Sequence, residues 1–431
     1  MVNYLIIIAV IITLLCLFLK VPVFISILAG ASVYFFAEPA VSTHLIVQRA
    51  LSGMQSVPLL AVPFFVYSGV LMNYAGVTQR IMDFCSVLTS NMWGGLAQVN
   101  ILLSTLMGGL SGSSLADAAM EAKMLVPEMR KKGMSNEFSS VVTAFSSSIT
   151  PLIPPGIAMI LYGSIGNVSI GQLFVSGLAV GVILCVAMML LTAAISRKRG
   201  YRPENTYAPG ERKVALWSSF KRAILPLCLP IIIIGGIRLG IFTPTEAGAV
   251  AVVYAIILGF AYRELNKDNM IMAIKETLVT TGSVMLIVGA ASALAWILTK
   301  EQIPQFLTNA MVNTIDNKYI FLIAVNIFLL IVGMFIEGNA ATIVLVPLLV
   351  PIARAYGIND IQFAFVFIFN MAIGAISPPM GTIMFVTCGV TKCKIKDFLK
   401  ESVPYFILML AVLLLITYVP ATTTAILNLF Y

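Results

Sequence analysis

Apolar residues come in runs along this chain rather than in alternation. Stretches near 20 residues long recur from one end to the other, about the length an α-helix needs to cross a bilayer. The short alternating segments of a transmembrane barrel are not found in the sequence. The pattern predicts an all-α polytopic membrane protein, whose backbone polar groups are satisfied within helices. The first run, 4 to 19, lacks a basic start and a small-residue cleavage site. It is read as a retained span, not a signal peptide.

Polar interruptions in these runs carry the chemistry. The stretch "GGLSGSSLADAAM" (108–120) sets glycines and serines, then Asp117, at membrane depth. From the start of the apolar run 96–110 to the basic Arg130-Lys131-Lys132 there is no room for two full spans. Two short helices joined at "GLSGSS" fit instead, as a re-entrant hairpin. A second hairpin is expected from 321 to 351, with "EGNAAT" (337–342) at its tip. Beyond each hairpin a span is broken by prolines, in "SSSITPLIPPG" (146–156) and in "GAISPPMG" (374–381). Non-helical backbone at this depth is tolerated where protein or a water-filled cavity satisfies it. Its carbonyls and serine hydroxyls are hard oxygen donors for a small cation. The N-termini of the following half-helices favour an anion. One tip and one broken helix per half make two cation sites flanking a midplane cavity.

The two halves repeat. A shift of 224 residues lays Gly109 on Gly333, Pro127 on Pro351, Gly133 on Gly357, and the pair Pro154-Pro155 on Pro378-Pro379. Charge sets their relative orientation. "GNVSIGQ" (166–172) has no charge, whereas its counterpart "KCKIKDFLK" (392–400) is rich in lysine. Following basic loops inward places about 20 of the 26 basic residues on the cytoplasmic side, with corresponding loops on opposite sides. The expected architecture is therefore a pair of inverted-topology repeats. The first, 1–200, has scaffold spans, an interfacial arm helix (77–91), a hairpin (94–130) and a broken helix (137–165). A cytoplasmic linker (201–222) leads to the second, 223–431, with arm helix 302–316, hairpin 320–352 and broken helix 361–390. Each half is expected to begin with three spans. The arm stripes are Ile81, Phe84, Cys85 and Leu88, and Ile303, Phe306, Leu307 and Ala310.

Among the carboxylates, Asp117 either joins the site or pairs with Lys123, while Glu121 and Lys123 lie nearer the cytoplasmic end and solvate that leg. Glu337, at the second tip, has the stronger claim to function. In "IFTPTEAGA" (241–249), Thr243, Thr245 and Glu246 are read as the start of a helix, capped and charge-neutralised.

Composition narrows the classes further. The formal net charge is +8, which in a membrane protein reads as topology-setting loops and not as nucleic-acid binding. The six cysteines form no CxxC pair, and His44 is the single histidine. Disulfide frameworks, zinc and haem are thus unsupported, and without a P-loop the chain does not itself hydrolyse ATP. No cofactor motif points to an enzyme. A channel remains the alternative of another class.

The chain resembles the large membrane subunit of the tripartite ATP-independent periplasmic (TRAP) transporters over essentially its whole length. The likeness rests on "PLLAVPFFVYSGVLM" (58–72), "GGLSGSSLADAA", "PLIPPGIAMILYG", "FTPTEAGAVAVVYA" and the second Pro-Pro. The overall look is most similar to the sialic-acid members. The resemblance implies a sodium-coupled importer of an organic acid in a bacterial inner membrane, an elevator of the ion-transporter superfamily. A soluble periplasmic binding protein would deliver the acid and a small membrane subunit would brace the scaffold. C4-dicarboxylates and sugar acids are the alternative cargoes. The resemblance puts the first sodium site at Ser111, Gly112, Ser113, Thr150 and Ile153. The repeat carries the second to Gly338, Asn339, Gly374 and Ser377. Ser114, Asp117, Pro154, Pro155, Glu337, Pro378 and Pro379 are expected around the substrate cavity. Gly156 and Thr150 depart from the serine and glycine that many relatives carry there, which leaves carbonyl ligation possible and side-chain ligation altered.

Overall fold

The structure is a computed structural model and describes residues 4–19, 21–203, 207 and 210–430. Among these residues it forms twenty α-helices and no strand. The first half opens with α1 (Tyr4–Phe18), α2 (Val23–Ala37), α3 (His44–Met54) and α4 (Ala61–Tyr74). Then come α5 (Val77–Thr89), the pair α6 (Gly95–Ser111) and α7 (Ser114–Lys131), the pair α8 (Asn136–Ser146) and α9 (Ile157–Gly166), and α10 (Ile170–Arg199). The second half runs α11 (Glu211–Arg238), α12 (Pro244–Ala261), α13 (Lys267–Lys300) and α14 (Ile303–Thr314). It continues with the pair α15 (Lys318–Phe335) and α16 (Gly338–Ala355), the pair α17 (Asp360–Gly374) and α18 (Thr382–Thr391), α19 (Ile395–Tyr418) and α20 (Ala421–Phe430). Among the described residues, eight helices are long and apolar enough to cross a membrane, or nine if the pair α8–α9, bent by 40°, counts as one span.

The same order of elements recurs. α7 and α16 each have 18 residues, each is N-capped by a side chain (Ser113 and Glu337), and prolines lie inside both, one in α7 (Pro127) and two in α16 (Pro347 and Pro351). Both are followed by a glycine with positive φ, Gly133 and Gly357, and both Pro-Pro peptides are cis. These features follow from local chemistry. A side-chain oxygen satisfies the orphan donors of a helix start, and a left-handed glycine ends the helix.

Differences from the sequence reading have physical reasons. The first half has an additional short helix, α3, before its fourth. α3 is polar on one side, and a hydropathy run does not register it. The predicted linker 201–222 is shorter than expected, because α11 is already helical from Glu211. Its first turns are rich in good helix formers (Glu, Arg, Lys, Ala, Leu) and extend the apolar span beyond its hydrophobic limits. Part of that linker (204–206, 208 and 209) lies outside the described residues. Of the arm stripes, Ile81 and Cys85 are buried, but Leu88 is exposed and Phe306 is 54% exposed. A helix lying in a membrane interface turns apolar residues to lipid as well as to protein.

The helices pack as a frame set against an inner body. In the frame, α13 lies against α2, α3 and α4, and α12 against α4. In the body the halves interlock: α7 packs on α18, and α16 on α9. Asn136 Nδ2 donates to the Thr391 carbonyl at 3.2 Å and Arg354 Nη2 to the Gly166 carbonyl at 2.9 Å, tying each broken helix to the other half. α17 is apolar almost all round, and every residue from Ile361 to Gly374 is buried, including Phe363, Phe365, Phe367 and Phe369. An all-round apolar helix belongs at a centre, and α17 supplies it.

Candidate functional site

The first tip is two residues of non-helical backbone. α6 ends at Ser111. Gly112 takes the left-handed conformation (φ 64°), and Ser113 is extended and accepts from the Ala116 N–H at 3.4 Å, capping α7. The tip rests on the broken helix. A Cβ at Gly109 would stand 2.7 Å from the Pro154 carbonyl oxygen, so only glycine allows this approach. On the frame side the contact is equally bare: a Cβ at Gly69 of α4 would stand 2.4 Å from the Leu110 carbonyl oxygen.

Asp117 joins these parts. It is 1% exposed, and its Oδ2 accepts from Ser111 Oγ at 2.7 Å and from Thr150 Oγ1 at 2.7 Å. Ser111 and Thr150, named for the first site, thus meet through Asp117 and not through Lys123, which is exposed. After the tight turn 147–152 the chain extends at Ile153 (φ −94°, ψ 129°), and Pro154 and Pro155 are buried. Glu121 does not solvate the cytoplasmic leg as expected. It is 0% exposed and bonded to Ser104, because α7 turns this face toward α6.

The second tip is built differently. Its break is Ile336 and Glu337, and Gly338 and Asn339 are already the first residues of α16. Glu337 Oε2 accepts from the Ala340 N–H at 3.0 Å, so this exposed carboxylate serves as a helix cap. Gly338 lies against Met371 of α17, and a Cβ at Gly374 would stand 2.5 Å from Gly333. Ser377 Oγ donates to the Ile373 carbonyl at 2.8 Å. Gly338, Gly374 and Ser377 come to one end of α17, yet among the described residues no hydrogen bond joins Gly338 or Asn339 to Gly374 or Ser377. Ala341 stands where Asp117 would repeat. Pro378 and Pro379 are exposed, unlike their buried counterparts.

A cavity of about 440 Å³ opens beside the first tip, with Ser111, Ser113, Ala116 and Ile157 on one wall. Asn73 of α4 and Lys275, Glu276 and Thr280 of α13 form the other. Tyr74 OH donates to Glu276 Oε1 at 2.6 Å. Of the expected cavity residues, Ser114 neighbours this wall in sequence, whereas Asp117, Pro154 and Pro155 are sealed behind it. The frame residues were missed by sequence reasoning. Their signal was the Lys275-Glu276 pair at the mouth of a long apolar helix. A smaller cavity of about 230 Å³ lies between α3, α9, α13 and α16.

The start of α12 forms a capping box. Glu246 Oε2 accepts from the Thr243 N–H at 2.7 Å and the Thr243 hydroxyl accepts from the Glu246 N–H at 3.3 Å. Thr245 Oγ1 donates to the Val57 carbonyl at 3.0 Å. Thr243 and Glu246 have the capping role expected of them, whereas Thr245 ties α12 to Val57 instead of capping it.

Twenty helices among the described residues, eight of them long and apolar enough to cross a membrane, define a multi-pass helical membrane protein. The family model of the tripartite ATP-independent periplasmic transporter, DctM component, matches residues 10–422, and the chain belongs to this family as a large permease. It is 38% identical to the sialic acid TRAP transporter large permease protein SiaM of Vibrio cholerae, covering 96% of each chain. It is 36% identical to the sialic acid TRAP transporter permease protein SiaT of Haemophilus influenzae, over 98% of this chain and 68% of that one. The 2,3-diketo-L-gulonate TRAP transporter large permease protein YiaN of Escherichia coli is 34% identical, over 91% and 92%. Among solved structures, the YdaH transporter of Alcanivorax borkumensis shares the fold, with a TM-score of 0.56, 14% identity and 86% of each chain covered.

Proposed function

We propose that this chain is the membrane carrier of a sodium-coupled importer in a bacterial inner membrane. In this reading a periplasmic binding protein delivers an organic acid and a small membrane subunit braces the frame within the lipid bilayer. The observation that carries it is the junction at the first tip, where Ser111 and Thr150 both donate to the buried Asp117. A carboxylate and hydroxyls beside non-helical backbone make a hard-oxygen surrounding for a small cation, and intramembrane carboxylates are functional candidates by default. Sodium would be held at Ser111, Gly112, Ser113, Thr150 and Ile153, and a second ion at Gly338, Asn339, Gly374 and Ser377. The recurrence of hairpins and breaks supports inverted-topology halves. The bare contact at Gly69 fits an inner body that slides within the frame as an elevator. The cavity at Ser111 reaches Lys275, near the basic end of α13, which fits a form open to the cytoplasm.

Sialic acid is the first acid to test, since the relatives SiaM and SiaT are named for it. 2,3-Diketo-L-gulonate and C4-dicarboxylates are the alternatives, after YiaN and the permease DctM of Pseudomonas aeruginosa. The test is uptake into liposomes holding the permease and its small subunit, with the matching soluble protein outside. Accumulation that needs both an inward sodium gradient and the soluble protein is expected. Passive equilibration without sodium would make the chain a channel. Concentrative uptake at low substrate without the soluble protein would remove that partner.

A further inference from the structure

Glu121 sits one helical turn beyond Asp117 and takes no part in the tip. It is fully enclosed, and no lysine or arginine lies within ion-pair distance among the described residues. α6 and α18, which pack on α7, carry no charged residue, and the one carboxylate of α8, Glu137, lies at the end away from Ser146. The other titratable groups facing Glu121 are Asp117, on its own helix, and the thiol of Cys85 on α5.

The hydrogens around Glu121 can be counted. Ser104 Oγ stands 2.9 Å from Oε1 and 2.7 Å from Oε2, but a serine hydroxyl has one hydrogen and donates to one oxygen only. The Ser146 hydroxyl also faces the carboxyl, but other acceptors compete for its hydrogen. Thr143 Oγ1 lies 2.9 Å from the Ser139 carbonyl, which can only accept, so Thr143 donates there. It must then accept from Asn100 Nδ2, at 2.7 Å, which turns Asn100 Oδ1 toward Ser146 at 2.9 Å. Asn100 Oδ1 and the Thr143 carbonyl at 3.0 Å, both pure acceptors, compete for the Ser146 hydrogen. The two carboxyl oxygens thus have the Ser104 hydrogen and, at most, a contested one from Ser146. An ionised carboxylate short of donors and of any cation is strongly disfavoured in apolar surroundings.

We propose that Glu121 holds a bound proton, as a neutral carboxylic acid that donates from one oxygen to a serine hydroxyl and accepts from Ser104 at the other. Asp117 contrasts with it, since two hydroxyl hydrogens converge on its Oδ2. The site is not repeated in the second half, where Leu345 stands at the corresponding position. The inner body thus carries a proton one turn behind the first tip, whichever cation and acid are transported.

Infrared spectroscopy of the membrane complex in lipid nanodiscs at neutral pH tests this. A carboxylic-acid C=O band that shifts in heavy water is expected in the wild type and lost in Glu121→Gln. A wild type without the band, or a band unchanged in that variant, overturns the proposal. Should Glu121→Gln not assemble, Ser104→Ala decides: the band should persist and move to higher frequency as its C=O loses a donor. An unmoved band assigns it to another acid and overturns the proposal. No sodium or transported acid is needed, so this outcome is independent of the sodium-coupling test.

Discussion

Ser111 and Thr150 belong to different elements and donate to the same oxygen of Asp117. Removing either hydroxyl leaves a buried acceptor short of a partner, a loss of about 1–3 kcal/mol. Ser111→Ala and Thr150→Ala should each raise the sodium concentration for half-maximal uptake by about 5- to 150-fold. Ser113→Ala should do less, because that side chain makes only a long cap to Ala116. Sodium titration of uptake in liposomes checks both, and unchanged curves in the first two variants would take the junction out of ion binding. Gly112→Leu should be worse than any of them, since a branched side chain at φ 64° strains the tip backbone. At this scale the sequence named the hydroxyls and Asp117 but not the bonds that join them. Local spacing offered Lys123 to Asp117, and the bond to Thr150 exists only once α7 lies on the broken helix. Glu121 was misread for the same reason, because a carboxylate near a basic helix end looks solvated until α6 is packed over it.

Helices cross without side chains between them at Gly333 of α15 and Gly374 of α17, where an added Cβ would meet backbone at 2.5 Å. Backbone cannot yield as a flexible side chain does. Gly374→Ala should therefore destabilise by about 1–3 kcal/mol, seen as a lower thermal midpoint of the purified complex. An unchanged midpoint would mean that α15 and α17 separate freely. The elements themselves were largely legible. Helix breaks announce themselves as glycine, serine and proline inside apolar runs, and the structure interrupts its helices at 112–113, 153–156, 336–337 and 375–381. Short α3 and α20 were not legible, since neither is long enough to give a hydropathy signal. The cap role of Glu337 escaped as well: a lone acid at a break reads equally as ligand or cap until the N–H of Ala340 is seen to point at it.

On the scale of the whole molecule, Asn167 ends α9 and Lys394 precedes α19, in corresponding loops of the two halves. Single cysteines at the two positions, labelled in intact cells, should report opposite sides, with Asn167 accessible from outside and Lys394 not. Labelling of both from outside would end the inverted-repeat reading. On the elevator proposal, the contact between frame and inner body at Gly69 has a mechanical meaning. Interdigitated side chains act as teeth, and each step past them needs the frame to open. Here Gly69 presents bare backbone to Leu110, which in that proposal would serve as a bearing surface for the tip. Its weakness is that a single methyl is grit. Gly69→Ala should slow uptake while leaving the sodium dependence where it was, because it jams the travel and not the load.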